Sequence, residues 1–229
     1  MAQANTLQAT SQVRFNRFLA LVYLVMAVGL GITAVMSTWV SSNEALMRRI
    51  LFDPWFAWGL FIVQMIVVFV LSAAVLRMSP IAAFLLFLFY SALTGVAISA
   101  IFIFYSQSTI SQTFWVAAGM FLFSSILGLV IRRDLSGGGR FLVIALMGWL
   151  FAWFFSMLFP GAAGVNQTLN IVGIVLFAAL TVWDPQRLKQ LSTQLEGRQG
   201  MGGLVVIGAL ALYLDFINLF LLLLRASRR

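Results

Sequence analysis

Long apolar runs dominate the chain, and short polar segments separate them. Seven of these runs approach the roughly 20 apolar residues that a transmembrane helix needs. They cover residues 18–40, 55–76, 81–105, 114–131, 141–159, 169–183 and 204–224. The strands of a membrane barrel would alternate apolar and polar residues, and these runs do not alternate. The pattern therefore predicts an all-α integral membrane protein with seven transmembrane helices.

Composition agrees with this interpretation. Hydrophobic residues make up 62% of the chain and charged residues 9%, whereas soluble domains carry about 25% charged residues. The longest polar connection, 184–203, is too short for a second domain, so we expect one transmembrane domain over 1–229. Residues 1–17 would form a polar cytoplasmic tail. The first run lacks a convincing small-residue cleavage site and is interpreted as a retained span.

The charge pattern gives an orientation. The net charge is +8, and nine of the 14 Lys and Arg residues lie on the N-terminal side of the predicted spans. Basic residues favour the cytoplasm, so the N-terminus is predicted to be cytoplasmic. The basic C-terminus would fit better if the last helix returned, but its apolar run is long enough to cross. Because the basic residues lie between spans, where they fix topology, no nucleic acid partner is expected.

The chain contains no Cys and no His. This excludes disulfides, thiol nucleophiles, Cys/His metal sites and His general bases. No tightly bound cofactor and no enzymatic activity are expected.

Three further features lie in or between the spans. Gln64 predicts a hydrogen bond between helices, and the glycines at 137–139 predict a flexible connection. The tryptophans near span ends predict interfacial anchors: Trp39, Trp55, Trp115, Trp153 and Trp183.

Asp215 lies near the middle of the last apolar run. A carboxylate at the bilayer centre costs about 2.5–3.5 kcal/mol on insertion scales, so such residues face a partner or water. Gly208, Ala211, Asp215 and Asn218 share one helical face, which is predicted to point inward. The alternatives are a functional carboxyl group and a structural clasp between helices.

Asp184 ends the sixth run and precedes Pro185. Asp followed by Pro is typical of a helix N-cap, so Asp184 could simply begin a short cytoplasmic helix. Asp215 would lie roughly 15 Å deeper, and the two could pair only if the helices tilt or the sixth is short. Paired carboxyl groups would share a proton. Without that proton they would attract Ca²⁺, which prefers oxygen ligands.

These motifs resemble a known family. Residues 209–220 (ALALYLDFINLF), together with Leu224 and Arg225, are similar to the C-terminal signature of the Bax inhibitor-1 family. Residues 182–189 (VWDPQRLK) and 132–136 (RRDLS) resemble its sixth-span aspartate motif and the loop after its fourth span.

The resemblance implies a seven-helix bundle with the last helix central. It implies a buried pair, Asp184 and Asp215, that senses protons and transiently binds Ca²⁺, with Arg77 as a latch of the closed state, and a role in stress response is expected. Gly208, Tyr213 and Asn218 of the last helix are expected to form a supporting polar face. A bacterial plasma (inner) membrane is the expected location, since the C-terminus carries no eukaryotic retention signal.

Three functions follow. The first is a pH-sensitive calcium (cation) leak channel, with the lipid bilayer, calcium and protons as partners. The second is a regulatory protein that binds a membrane-bound ATP-dependent protease, as some bacterial relatives do. The third is an intramembrane aspartyl protease, which is disfavoured because its Gly-x-Gly-Asp motif is absent: Tyr213 and Leu214 precede Asp215.

Overall fold

The computed structural model describes residues 2–131, 136–158, 163–194 and 201–227. Its helices are α1 (Ala2–Ser41), α2 (Glu44–Phe52), α3 (Pro54–Ala74), α4 (Pro80–Ile98), α5 (Ile101–Phe104), α6 (Gln107–Val130), α7 (Ser136–Leu158), α8 (Ala163–Gln194) and α9 (Met201–Ala226); a 3₁₀ turn covers Val75–Arg77. Segment 132–135 of the family motif lies outside the described residues, and so do Arg198, Arg228 and Arg229, which were counted among the 14 basic residues above.

Seven of the helices are long and apolar enough to cross a membrane. Within the described residues, the candidate spans are Val13–Ser41, Pro54–Ala74, Pro80–Phe104, Gln107–Val130, Gly138–Ser156, Asn166–Thr193 and Met201–Ala226, the third of which combines α4 and α5. The predicted all-α membrane protein with seven spans is therefore confirmed, although the boundaries differ. The residues assigned to the tail from position 2 onward are helical and continuous with the first span.

Local sequence explains where several helices begin. The Asp53 side chain accepts hydrogen bonds from the backbone N–H groups of Trp55 and Phe56 at 3.1 and 3.2 Å. Pro54 follows at the first helical position of α3, where the missing N–H has no consequence. Ser79 and Pro80 repeat this arrangement at α4. By contrast, the glycines at 137–139 lie inside α7, so the predicted flexible connection there is wrong.

The chain divides into two compact units, residues 1–106 with 188–213 and residues 107–187 with 214–229. Both α8 and α9 contribute residues to each unit. The prediction of a single transmembrane domain is not tested by this division. Among the candidate spans, α9 is the most buried: 67% of its most apolar stretch is buried inside the protein. Its central position in the bundle stays a prediction.

Close contact between α1 and α4 organises the first unit. A Cβ added to Gly95 would lie 2.7 Å from the carbonyl oxygen of Thr33, so only glycine lets these backbones approach. Gln64 donates to the Thr94 hydroxyl at 3.4 Å, which confirms the predicted hydrogen bond between helices. Tyr213, fully buried, lies 2.7 Å from the Thr33 hydroxyl oxygen.

An aromatic and aliphatic core organises the second unit. Its buried members come from α7, α8 and α9: Trp149, Leu176, Phe177, Leu180, Leu219 and Leu222. The Trp149 indole N–H donates to the carbonyl of Leu169 at 2.7 Å, and its ring meets Phe177 edge-on. Asn170 donates to the carbonyl of Leu222 at 3.0 Å. These contacts fix α8 against α9 in the part of the molecule that carries both intramembrane aspartates.

Candidate functional site: a buried aspartate pair

Asp184 lies inside α8, not at a helix start. α8 runs without interruption from Ala163 to Gln194 and contains Pro185. The interpretation of Asp184 as an N-cap is therefore wrong, and so is the expectation that the sixth span is the shortest. The Asp184 side chain is 5% exposed and Pro185 is fully buried. Their burial overrides the local capping signal, because a cap would leave the carboxyl group at a solvated helix end.

Asp215 reaches Asp184 from α9. Its side chain is 7% exposed, and the two carboxyl groups are hydrogen-bonded to each other. Asp184 lies about ten residues before the end of α8, which is roughly 15 Å along the helix axis. Asp215 lies about fourteen residues after the start of α9, which is roughly 21 Å. The depth difference that the sequence suggested falls from roughly 15 Å to about 6 Å, because α8 continues beyond Asp184.

The hydrogen bond between two carboxyl groups requires a proton on one of them. Once that proton leaves, two negative charges lie within hydrogen-bonding distance in a buried place, where repulsion is strong. Within the described residues, the buried Asp215 Oδ2 atom accepts no hydrogen bond from an N–H or hydroxyl group. The pair thus has two chemically distinct states, one with the shared proton and one without it.

Arg187 supplies the positive charge that acts on the pair. Its guanidinium group interacts electrostatically with both Asp184 and Asp215, and lies 5.2 Å from the centre of the Trp183 ring. Sequence reasoning missed this residue. The spacing of three residues from Asp184 was a usable signal, since residues at i and i+3 share a helix face.

The segment around Asp184 is packed tightly against two other helices. A Cβ at Gly128 of α6 would overlap the carbonyl oxygen of Val182, and a Cβ at Gly139 of α7 would overlap the Trp183 indole. Trp183 is partly buried within α8, and its predicted role as an interfacial anchor stays a prediction. Gln186 donates to the carbonyl oxygens of Gly128 and Ile131, both at 3.0 Å. Sequence reasoning also missed Gln186, because its partners lie far away along the chain.

The other predicted site residues occupy varied positions. Arg77 ends the 3₁₀ turn and its side chain is exposed; its latch role stays a prediction. Gly208 is buried, with the Leu188 side chain 2.8 Å from its virtual Cβ. Tyr213 is hydrogen-bonded with Thr33. Asn218 is half-buried and donates to the carbonyl of Leu214 in its own helix, at 2.8 Å, and Ala211 is also only half-buried. α9 is thus buried on several faces and not along the predicted stripe alone.

Metal-ligating side chains are sparse in the described part of the chain. It holds no group of three or more His, Cys, Asp or Glu side chains. The aspartate pair could offer carboxylate oxygens to a hard cation, and further ligands from the described residues would be neutral oxygen atoms.

The chain is similar in sequence to a described protein family and to several bacterial proteins. Residues 15–227 match the sequence model of a family described as "Inhibitor of apoptosis-promoting Bax1". The inner membrane protein YbhL of Escherichia coli K12 is 40% identical over 210 residues, covering 91% of this chain and 89% of that protein. A protein of Deinococcus radiodurans is 39% identical over 225 residues, 98% of this chain and 93% of its own length. A membrane protein of Streptococcus pyogenes serotype M1 is 35% identical over 221 residues, 96% and 95% of the two chains.

Proposed function

Because the chain belongs to the Bax inhibitor-1 family, we propose that it is a proton-regulated cation leak of a bacterial inner membrane, with Asp184 and Asp215 as its sensor. The observation that supports this most directly is the hydrogen bond between the two buried carboxyl groups. An integral membrane protein that keeps two acids together at such a depth retains them against a substantial insertion cost. The relative YbhL is named an inner membrane protein, which supports the location.

The gating mechanism follows from the charge states of the pair. With the shared proton present, the carboxyl groups hold α8 and α9 together and the leak is closed. When the proton leaves, two like charges repel at about 4 kcal/mol for a separation of 4 Å and an effective dielectric constant of 20. That energy is enough to change an equilibrium between two conformations roughly a thousandfold. The deprotonated carboxylates then attract Ca²⁺ as the permeant ion.

Arg187 has a role in the same mechanism. Its positive charge stabilises the deprotonated pair, and the neighbouring Trp183 ring holds the guanidinium group when the pair is neutral. Arg187 is exposed, so water and salt screen its charge and its effect is smaller than that of the mutual repulsion. Arg77 remains the proposed latch of the closed state, and the distribution of basic residues supports a cytoplasmic N-terminus.

Calcium flux into proteoliposomes tests the proposal. The purified protein is measured from about pH 5 to about pH 8, the range of physiological proton switches. We compare the native chain with Asp215→Asn and with Glu44→Gln, an exposed acid in the first turn of α2. The native chain and Glu44→Gln should show flux that rises with pH, and Asp215→Asn should show flux that pH does not change. An unaltered pH response in Asp215→Asn would contradict the proposal.

Absence of flux in every variant would favour the second function, regulation of a membrane-bound ATP-dependent protease. Deletion of residues 1–12, the polar start of the chain, should then abolish an effect on protease turnover. Cleavage of a model transmembrane substrate that disappears in Asp215→Asn would instead indicate an intramembrane protease.

A further inference from the structure

Pro185 weakens α8 directly beside the sensor. A proline has no N–H group, so the carbonyl of Thr181, one turn earlier, loses its partner in the helix ladder. Thr181 is fully buried, and its own hydroxyl group donates to the carbonyl of Phe177 at 2.8 Å. The direction in which Asp184 points is therefore not fixed by the hydrogen bonds of α8 alone. Contacts from other helices have to fix it.

Gln186 provides one of those contacts. Its side-chain amide nitrogen donates to the carbonyl oxygens of Gly128 and Ile131, both at 3.0 Å. These carbonyls lie in the last turn of α6 and just beyond it, where helix carbonyls lack intrahelical donors. Both amide protons of Gln186 are used, so the side chain can hold only one orientation. Gln186 therefore joins the turn after Asp184 to the end of α6.

Gly128 provides the second contact on the other side of Asp184. Its missing side chain lets the α6 backbone lie directly against the carbonyl of Val182. The same residue of α6 thus contacts α8 two positions before Asp184 and accepts a hydrogen bond from two positions after it. The helix turn weakened by Pro185 is therefore held against α6 at Val182 and at Gln186, and Asp184 lies midway between these two residues.

We propose that Gln186, acting with Gly128, is a positioning residue that holds the Asp184 carboxyl group in hydrogen-bonding range of Asp215. This inference rests on the proposed function, because it concerns the same proton sensor. Gln186 contacts α6 and not the carboxyl pair, and it acts by fixing the helix turn. Loss of the amide donors should leave the protein folded but lengthen or break the hydrogen bond between the carboxyl groups.

Infrared spectroscopy of the reconstituted protein tests the inference without any measurement of flux. The C=O stretch of a protonated carboxyl group moves to higher wavenumber when its hydrogen bond is lost. Spectra are recorded at an acidic pH, where the pair keeps its proton, and the band is assigned by its loss in Asp215→Asn. Gln186→Leu removes both donors at similar size, and Gln186→Met removes them while keeping a long unbranched side chain. Both substitutions should move the band to higher wavenumber.

Two glycines of α6 give a matched comparison. Gly128→Ala should move the band in the same direction, since the new methyl group would push Val182 away. Gly119→Ala should leave the band in place, because nothing lies within 4 Å of its Cβ position. If Gly128→Ala does not fold, the two Gln186 variants decide the question.

The outcomes separate the two proposals. A band in Gln186→Leu that coincides with that of the native protein would overturn the positioning role and leave the sensor intact. If the native protein shows no band that disappears in Asp215→Asn, the two carboxyl groups do not share a proton. That result would overturn both proposals. A band that moves as expected in a protein without calcium flux would support the positioning role and count against the leak.

Discussion

Replacement of Asp215 by Asn and by Ala should affect stability very differently. An Asn side chain has nearly the shape of Asp, and its amide can donate a hydrogen bond to Asp184 in place of the shared proton. An Ala side chain offers no partner and leaves Asp184 alone in a place where it is 5% exposed. We therefore expect a small loss of stability in the first variant and a large one in the second.

The magnitudes follow from the contacts of the pair. A buried group that loses its hydrogen-bond partner costs about 1–3 kcal/mol, and removal of the carboxyl group adds about 1 kcal/mol for the cavity left behind. Asp215→Ala should thus cost about 2–4 kcal/mol. Asp215→Asn keeps one hydrogen bond, and single hydrogen bonds between membrane helices average about 0.6 kcal/mol, so its cost should stay below about 1 kcal/mol.

Thermal unfolding of the detergent-purified protein at mildly acidic pH measures the difference. For a chain of this size, 1 kcal/mol moves the midpoint by roughly 2–4 °C. Asn218→Ala is the control on the same helix, because Asn218 bonds only to a carbonyl of its own helix among the contacts described above. If Asp215→Asn and Asp215→Ala lower the midpoint equally, the Asn amide does not replace the shared proton as a hydrogen-bond donor to Asp184. Unchanged midpoints in both would refute the hydrogen-bonded pair.

The same assay gives a second comparison, in pH. Raising the pH removes the shared proton and introduces repulsion between the carboxylates, so the native protein should lose stability in alkaline solution. Asp215→Asn has only one carboxyl group at this place and should lose less. A native midpoint that rises with pH while that of the variant falls would contradict this sign.

Further predictions concern packing and topology. Gly95→Ala should cost about 1–3 kcal/mol of stability through overpacking against the α1 backbone. The control Gly31→Ala should be nearly neutral, because nothing lies within 4 Å of its Cβ position. Comparable unfolding midpoints for the two variants would count against the α1–α4 contact. Tyr213→Phe removes one buried hydroxyl group and should cost about 1 kcal/mol, again measured by thermal unfolding; a loss above about 3 kcal/mol would show that more than one hydrogen bond depends on it. Because the chain has no Cys, a membrane-impermeant maleimide applied to intact cells should label Ser42→Cys and not Thr193→Cys; the reverse pattern would invert the proposed orientation.

The architecture could be predicted from the sequence because each long apolar run directly indicates a transmembrane helix. The seven spans, the deep position of Asp215 and the hydrogen bond of Gln64 all depend on the chemistry of single residues in apolar surroundings. The seven spans and the Gln64 hydrogen bond are confirmed, although the span boundaries differ by up to about ten residues. Asp215 lies near the middle of α9, and its depth in the membrane stays a prediction.

Other features depend on residues distant in the chain and escaped prediction. Asp184 followed by Pro185 looks like a helix start, yet burial against neighbouring helices keeps α8 continuous. The glycines at 137–139 look like a flexible turn, but one of them provides space for the Trp183 ring. Gln186 shows no local pattern that assigns a role, because its partners on α6 lie far away along the chain. Arg187 lies three residues after Asp184, which was a usable signal, but its interaction with Asp215 of α9 appears only once the helices are packed.

The sharing of α8 and α9 between both compact units has a consequence for biosynthesis. The ribosome delivers residues 201–213 and 214–229 after the other parts of both units, so neither unit can be completed until α9 has entered the membrane. A truncated or stalled chain that ends before Met201 would leave two unfinished units for membrane quality control to recognise. Synthesis therefore yields no independently finished half of the molecule, and a chain that lacks its last span should be degraded whole.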